Sequence, residues 1–269
     1  MTGSVAAPKL GGMIQHPFRL FLALSCLSGL VSGCATLGGA ETSKQEDASQ
    51  WVALAEASLG DKDPVGALQA LQKAEQMDAK LPSLHHVRAL AFLERLDLPA
   101  ALSSARRAHE LDRADSGIAT TLGKILMDLN RTSEAEQVLL PAARDPLYRG
   151  AYRARTNLGI LKFRTGELPA ARFHLDRAIQ DSPEMACVAY FYRSRVAEKQ
   201  GRLKEAIRDL ERSTQRLCTG YGEAEVALGS ALIQDRQYDR ARKKFLEIRQ
   251  RFPGTEWAEA ALDRLKEVP

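Results

Sequence analysis

The stretch NLGILKFRTGELPAARFHLDRAIQDSP, Asn157 to Pro183, decides how the rest of the chain is read. It contains two small residues, Gly159 and Ala171, twelve positions apart, with Gly166 between them. Leu175 and Ala178 follow Ala171 at four and seven positions, the spacing of one helix face, and Pro183 closes the segment. The same constellation recurs along the chain. Ala67, Ala101, Ala135, Ala171, Ala206 and Ala241 fall at intervals of 34, 34, 36, 35 and 35 residues. Four residues after each lies Leu71, Ala105, Leu139, Leu175, Leu210 or Phe245, and twelve before each lies Ala55, Ala89, Gly123, Gly159, Ser194 or Gly229.

Small residues at those two positions let a pair of antiparallel helices approach closely, and the apolar residue four further on fills the seam to the next pair. Pro64, Pro99 and Pro169 fall in the first turn of the second helix, where a missing N–H costs nothing. The pattern resembles the tetratricopeptide repeat, a helix-turn-helix of about 34 residues. One such unit cannot bury its apolar face alone, so the predicted fold is all-α: a right-handed superhelical solenoid of six repeats. The repeats are placed at 48–81, 82–115, 116–149, 152–185, 187–220 and 222–255. Residues 256–269 are read as a capping helix, with Trp257, Ala261, Leu262 and Leu265 turned inward over the last seam.

Composition agrees with helix. Aromatic residues are only 6% of the 269, hydrophobic residues 45% and charged residues 27%. The formal net charge is +4, and two of those charges, Lys9 and Arg19, precede Cys34. A chain processed at Cys34 keeps +2, too little and too evenly spread for a nucleic-acid partner.

The N-terminus reads as an export signal. FRLFLALSCLSGL, Phe18 to Leu30, is a short apolar run behind Lys9 and Arg19, shorter than the roughly 20 residues a membrane span needs. Met13 is a second candidate start. Val31-Ser32-Gly33-Cys34 resembles the bacterial lipobox, so 1–33 is expected to be a lipoprotein signal peptide and Cys34 the lipidated first residue of the mature chain. The alternative is an ordinary signal with a chance cysteine. Resemblance to exported lipoproteins implies that Ala35 after the cysteine directs the protein to the outer membrane, facing the periplasm. Residues 34–47, small and polar without an apolar stripe, are read as a flexible tether.

Cys187 and Cys218 occupy positions 1 and 32 of the fifth repeat. Antiparallel helices bring the start of the first beside the end of the second, so a disulfide is expected in an oxidising compartment; two separate buried thiols are the alternative. That repeat departs most from the pattern, with Arg193 where leucine belongs and Ser213 in place of alanine.

No catalytic constellation is found, and no metal site or cofactor is expected. Adjacent His85 and His86 diverge by about 100° on a helix, and metal-binding pairs need a spacing of four. They are read as a seam residue and a groove residue. A solenoid offers instead its concave face. Leu90, Leu93, Lys124, Met127, Ile160, Phe163, Phe191 and Arg195 are the candidate partner-binding groove, suited to a peptide or strand. The competing reading is that curvature or the capping helix covers some of them.

Between the third and fourth repeats the period stretches by two, at LLPAARDPLYRGAYRARTNLGILKFRTGELPAARFHLDRAI, Leu139 to Ile179. The elbow Asp145-Pro146-Leu147-Tyr148-Arg149 ahead of an "NLG" repeat is similar to the type IV pilus pilotin family (PilF/PilW/Tgl-like), although Arg149 stands where a proline is common. The resemblance implies a monomeric outer-membrane lipoprotein that binds secretin subunits through the groove and promotes their multimerisation for twitching motility. The alternatives are an envelope adaptor for peptidoglycan hydrolases or outer-membrane assembly factors, and a periplasmic holdase.

Overall fold

The computed structural model describes residues 38–269, with side chains from Glu46 onward, and most of them lie in helices arranged as antiparallel pairs. The proposed signal peptide and Cys34 lie outside those residues. Helix α1 (Gly38–Gly60) pairs with α2 (Pro64–Met77), α3 (Pro82–Glu94) with α4 (Leu98–Leu111), and α5 (Ser116–Asp128) with α6 (Thr132–Arg144). Helix α7 (Ala151–Arg164) pairs with α8 (Leu168–Asp181), α9 (Cys187–Lys199) with α10 (Leu203–Ser213), and α11 (Gly222–Gln234) with α12 (Tyr238–Arg251). Helix α13 (Glu256–Leu265) covers the end, and no strand occurs among the described residues. Each helix packs on the next in sequence, and the first helices also form an inner ladder, α1 on α3, α3 on α5, α5 on α7 and α7 on α9. The ladder skips one rung: α9 and α11 make no comparable approach, and it resumes with α11 on α13.

Two expectations need correction here. The segment 34–47 is helical from Gly38 onward. Once Val52 and Ala55 are packed against α2, the costly nucleus is already formed, and the helix propagates backward through GGAETSKQED without needing an apolar face of its own. In α13, Ala261 is buried and Trp257 and Leu265 pack on the terminal core, but Leu262 is exposed; Ala258 takes the inward position.

The repeat period has an exact counterpart in the backbone. The turn between first and second helix passes through one left-handed residue in every pair: Lys62, Leu96, Asn130, Gly166, Gly201 and Arg236. Behind each, two N–H groups fold back on the helix end. In the second pair Leu96 N–H donates to Leu93 O at 2.9 Å and Asp97 N–H to Phe92 O at 2.9 Å. Only two of the six residues are glycines, so four side chains carry the strain of positive φ. Leu96 is 86% exposed and gains no packing in return. Leu96→Gly is therefore expected to raise stability by about 0.5–1 kcal/mol, read as a higher denaturant midpoint at unchanged slope.

Where the helices of a pair cross, the small residue of the first helix faces the seam residue of the second. A Cβ on Gly123 would lie 2.4 Å from Leu139 Cγ, one on Gly159 2.6 Å from Leu175 Cγ, and one on Gly229 2.4 Å from Phe245 Cε1. The sequence reading set this glycine against the alanine twelve residues on. Its tightest neighbour is instead the large side chain sixteen residues on, which lies over the bare backbone.

The fifth pair departs from the pattern in a compensated way. Arg193 donates from Nε to Asp209 Oδ2 at 2.8 Å and from a second guanidinium nitrogen to Asp209 Oδ1 at 2.6 Å. Its remaining nitrogen reaches Asp176 on α8 at 2.8 Å. Burial alone would lower the pKa of this guanidinium, but the two carboxylates hold it above its ordinary value. Cys187 at the start of α9 and Cys218 in the short 3-10 turn Arg216–Cys218 are joined as a disulfide, with Cα atoms 5.4 Å apart.

Candidate partner-binding groove

The inner ladder of first helices encloses a concave cavity of ≈ 410 Å³. Leu90 and Leu93 reach it from α3, Lys124 from α5, Ile160 from α7 and Val188 from α9. Four of the predicted groove residues, Leu90, Leu93, Lys124 and Ile160, are thus brought together. The other four are not. Met127 and Phe191 are each only 4% exposed and belong to the cores beneath, where they pack between neighbouring helix pairs. Phe163 is partly buried and packs edge-on against Tyr192, with ring centroids 5.8 Å apart. Arg195 is exposed and paired with Glu198 at 2.8 Å, away from the cavity.

Several lining residues went unpredicted. Thr120 and Thr121 on α5 and Thr156 and Asn157 on α7 supply polar groups to the same wall. They fall at the fifth and sixth positions of their repeats. That register is the signal that could have found them, since it lies one turn before Lys124 and Ile160 on the same face. Thr120 and Thr156 hydroxyls donate to carbonyls of their own helices, Ser116 O and Tyr152 O, at 2.7 Å each. Thr121 Oγ1 is 2.8 Å from His86 Nε2, a bond that ties α5 to α3. Burial lowers the pKa of His86 and Asp115 opposes it, so the charged form of the bridging imidazole is disfavoured. His85, by contrast, turns into the seam and binds Ala79 O at 2.8 Å. The Asn157 amide makes no hydrogen bond within the described residues and is left free to meet a backbone N–H or carbonyl.

The cavity is therefore an apolar floor with an adaptable polar wall, and its width follows from first-helix packing. Among the described residues no group of three His, Cys, Asp or Glu could hold a metal ion, and no helix is long and apolar enough to cross a membrane.

A tetratricopeptide-repeat family model matches residues 120–186, the third and fourth pairs that form the centre of this groove. The chain has the fold of a tetratricopeptide-repeat solenoid. Among known proteins, the repeat solenoid is similar to the type IV pilus assembly protein PilF of Pseudomonas aeruginosa, with 25% identity over 164 residues, 59% of this chain and 65% of that protein. The match thus spans just under two thirds of the relative's own length. A solved structure of Pseudomonas aeruginosa PilF superposes with a TM-score of 0.70 at 18% identity, covering 84% of this chain and 99% of PilF. PilW, described as a widely conserved type IV pilus biogenesis factor, superposes with a TM-score of 0.70 at 21% identity, covering 80% and 98%. The Cut9–Hcn1 hetero-tetramer of the anaphase-promoting complex reaches a TM-score of 0.72 at 18% identity but is covered over only 43% of its chain. These superpositions establish the fold.

Proposed function

We propose that the solenoid is a pilotin: an assembly factor for type IV pilus biogenesis that is anchored in the outer membrane through acylated Cys34 and holds secretin subunits in its groove. The observation that carries this reading is the sequence match with the pilus assembly protein PilF. The groove supports it, since an apolar floor beside an unpaired amide suits an extended segment of another polypeptide. Holding several subunits at one membrane surface raises their local concentration, which favours ring closure without any bond chemistry.

The test pairs a deletion with two groove variants. Leu93→Glu and Val188→Glu put a charge on the floor at side chains that are not part of a sealed core. Deletion is expected to abolish heat-resistant secretin multimers and twitching. Each variant, soluble and with unchanged helical content, is expected to restore less than about a tenth of the wild-type multimer, as loss of ~1.4 kcal/mol or more in docking implies. Normal multimers in the deletion strain, with altered cell shape or lytic sensitivity instead, would replace this reading with the adaptor. Cys34→Ala is expected to release the protein from membranes and to mislocalise the multimers.

A further inference from the structure

A second cavity shares no lining residue with the groove. It measures ≈ 410 Å³ and lies where the end of α6 meets α7 and α8, around Arg144, Arg155, Phe173, His174 and Arg177. Three guanidinium groups and an imidazole thus share one hollow. Only one of the three has a carboxylate partner: Arg155 is paired with Asp181. Arg177 lies over the Phe173 ring, 5.8 Å from its centroid, and Arg144 has no ion-pair partner among the described residues. The cations feel one another. Arg155 has its pKa lowered by burial and by Arg177 beside it. His174 has its pKa lowered by burial first, then by the positive charges of Lys162, Arg155 and Arg144, with Glu136 opposing. Lys162 is itself engaged with Glu136 at 2.8 Å and Glu167 at 3.2 Å, so it adds field but no free donor.

Like charges gathered in a concavity repel, and the fold gives this cluster a single counter-charge. Arg144 and Arg177 are exposed and water screens their repulsion, so the cluster stands at modest cost, and an anion entering the hollow meets two guanidiniums that have no carboxylate partner. Guanidinium forks match the tetrahedral oxygens of phosphate, and two uncompensated guanidiniums balance a dianion. Phe173, 57% exposed, and Leu140 line the same hollow and leave an apolar wall for the group that carries the phosphate.

We infer that the cavity between α6, α7 and α8 is a binding site for a phosphate group, with Arg144 and Arg177 as its principal donors and Arg155 held in place by Asp181. The source of the phosphate is a soluble compound or a lipid headgroup, and the chemistry of the site is the same for both.

The full folded protein is titrated with pyrophosphate, against chloride at matched ionic strength, while the ring protons of the histidines are followed by NMR. His174 is identified by its loss in His174→Gln. The expected result is a saturable shift of the His174 signals with those of His85 and His86 unmoved, and affinity at least tenfold weaker in the Arg144→Gln/Arg177→Gln variant. Both residues are exposed and outside the core, so that variant is expected to fold, with circular dichroism as the check. Phosphatidylcholine vesicles doped with phosphatidic acid supply the second arm. Pelleting that the double variant loses assigns the phosphate to a headgroup; a pyrophosphate response without pelleting assigns it to a soluble compound. No His174 shift up to about 10 mM pyrophosphate together with no Arg-dependent pelleting overturns the site, as does equal binding by the double variant. None of these outcomes depends on secretin multimers, so the site and the pilotin reading stand or fall separately.

Discussion

Removing the disulfide, as Cys187→Ser/Cys218→Ser, is expected to lower stability by about 3–4 kcal/mol, the chain entropy released when a closed loop of this length is opened. The bridge spans 31 residues, nearly the whole fifth pair, and Cys218 is almost completely buried. Because each pair in a solenoid touches only its neighbours, the loss is local before it is global. Amide exchange should accelerate in α9, α10 and the 3-10 turn, while α2 to α5 keep the protection of the native protein. The measurement is a denaturant titration with site-resolved hydrogen exchange. Uniform loss of protection along the chain, or a change under about 1 kcal/mol, would show that the fifth pair is held by packing alone.

The second large effect concerns Arg193. Its replacement by leucine restores the repeat pattern on paper, yet it should destabilise the protein by about 3–5 kcal/mol, because it strands a buried carboxylate. Asp209 has only 6% of its side chain exposed and takes both of its hydrogen bonds from Arg193. Asp176 on α8 loses a partner as well. The double variant Arg193→Leu/Asp209→Leu should recover most of the loss, since two apolar side chains can fill the seam as Leu158 does in the fourth pair. A double variant no better than the single one would mean that the polar cluster specifies how α9 sits on α8, not merely how firmly.

The repeat was legible because its signal is periodic. Small residues at one register and seam residues at another recur five times, and chance does not hold a spacing of 34 to 36 residues over six units. The cysteine pairing was legible for the same reason, once the register placed both at one end of an antiparallel pair. Groove residues were half legible. The face could be read, but whether a side chain such as Met127 or Phe191 lines the hollow or dips between pairs depends on local curvature, which the period does not encode. The left-handed turn residues were legible only at Gly166 and Gly201; Lys62, Leu96 and Arg236 adopt that conformation because helix packing imposes it. The arginine cavity was hidden altogether. Arg144, Arg155 and Arg177 come from three helices at spacings unrelated to the period, and only the packing of α7 against α6 and against α8 assembles them.

At the missing rung between α9 and α11, aromatic rings take the place of close approach between first helices. Phe191, Tyr192 and Tyr221 form a wedge there, with Phe191 5.3 Å from Tyr192 and 5.2 Å from Tyr221 between ring centroids. Phe191 also belongs to one buried cluster with Ile207, Leu210 and Leu228, so the last three helices are seated on the arc before them through side chains rather than through close approach of first helices. The covalent link between Cys187 and Cys218, just ahead of the rings, closes the fifth pair on which that seat is built.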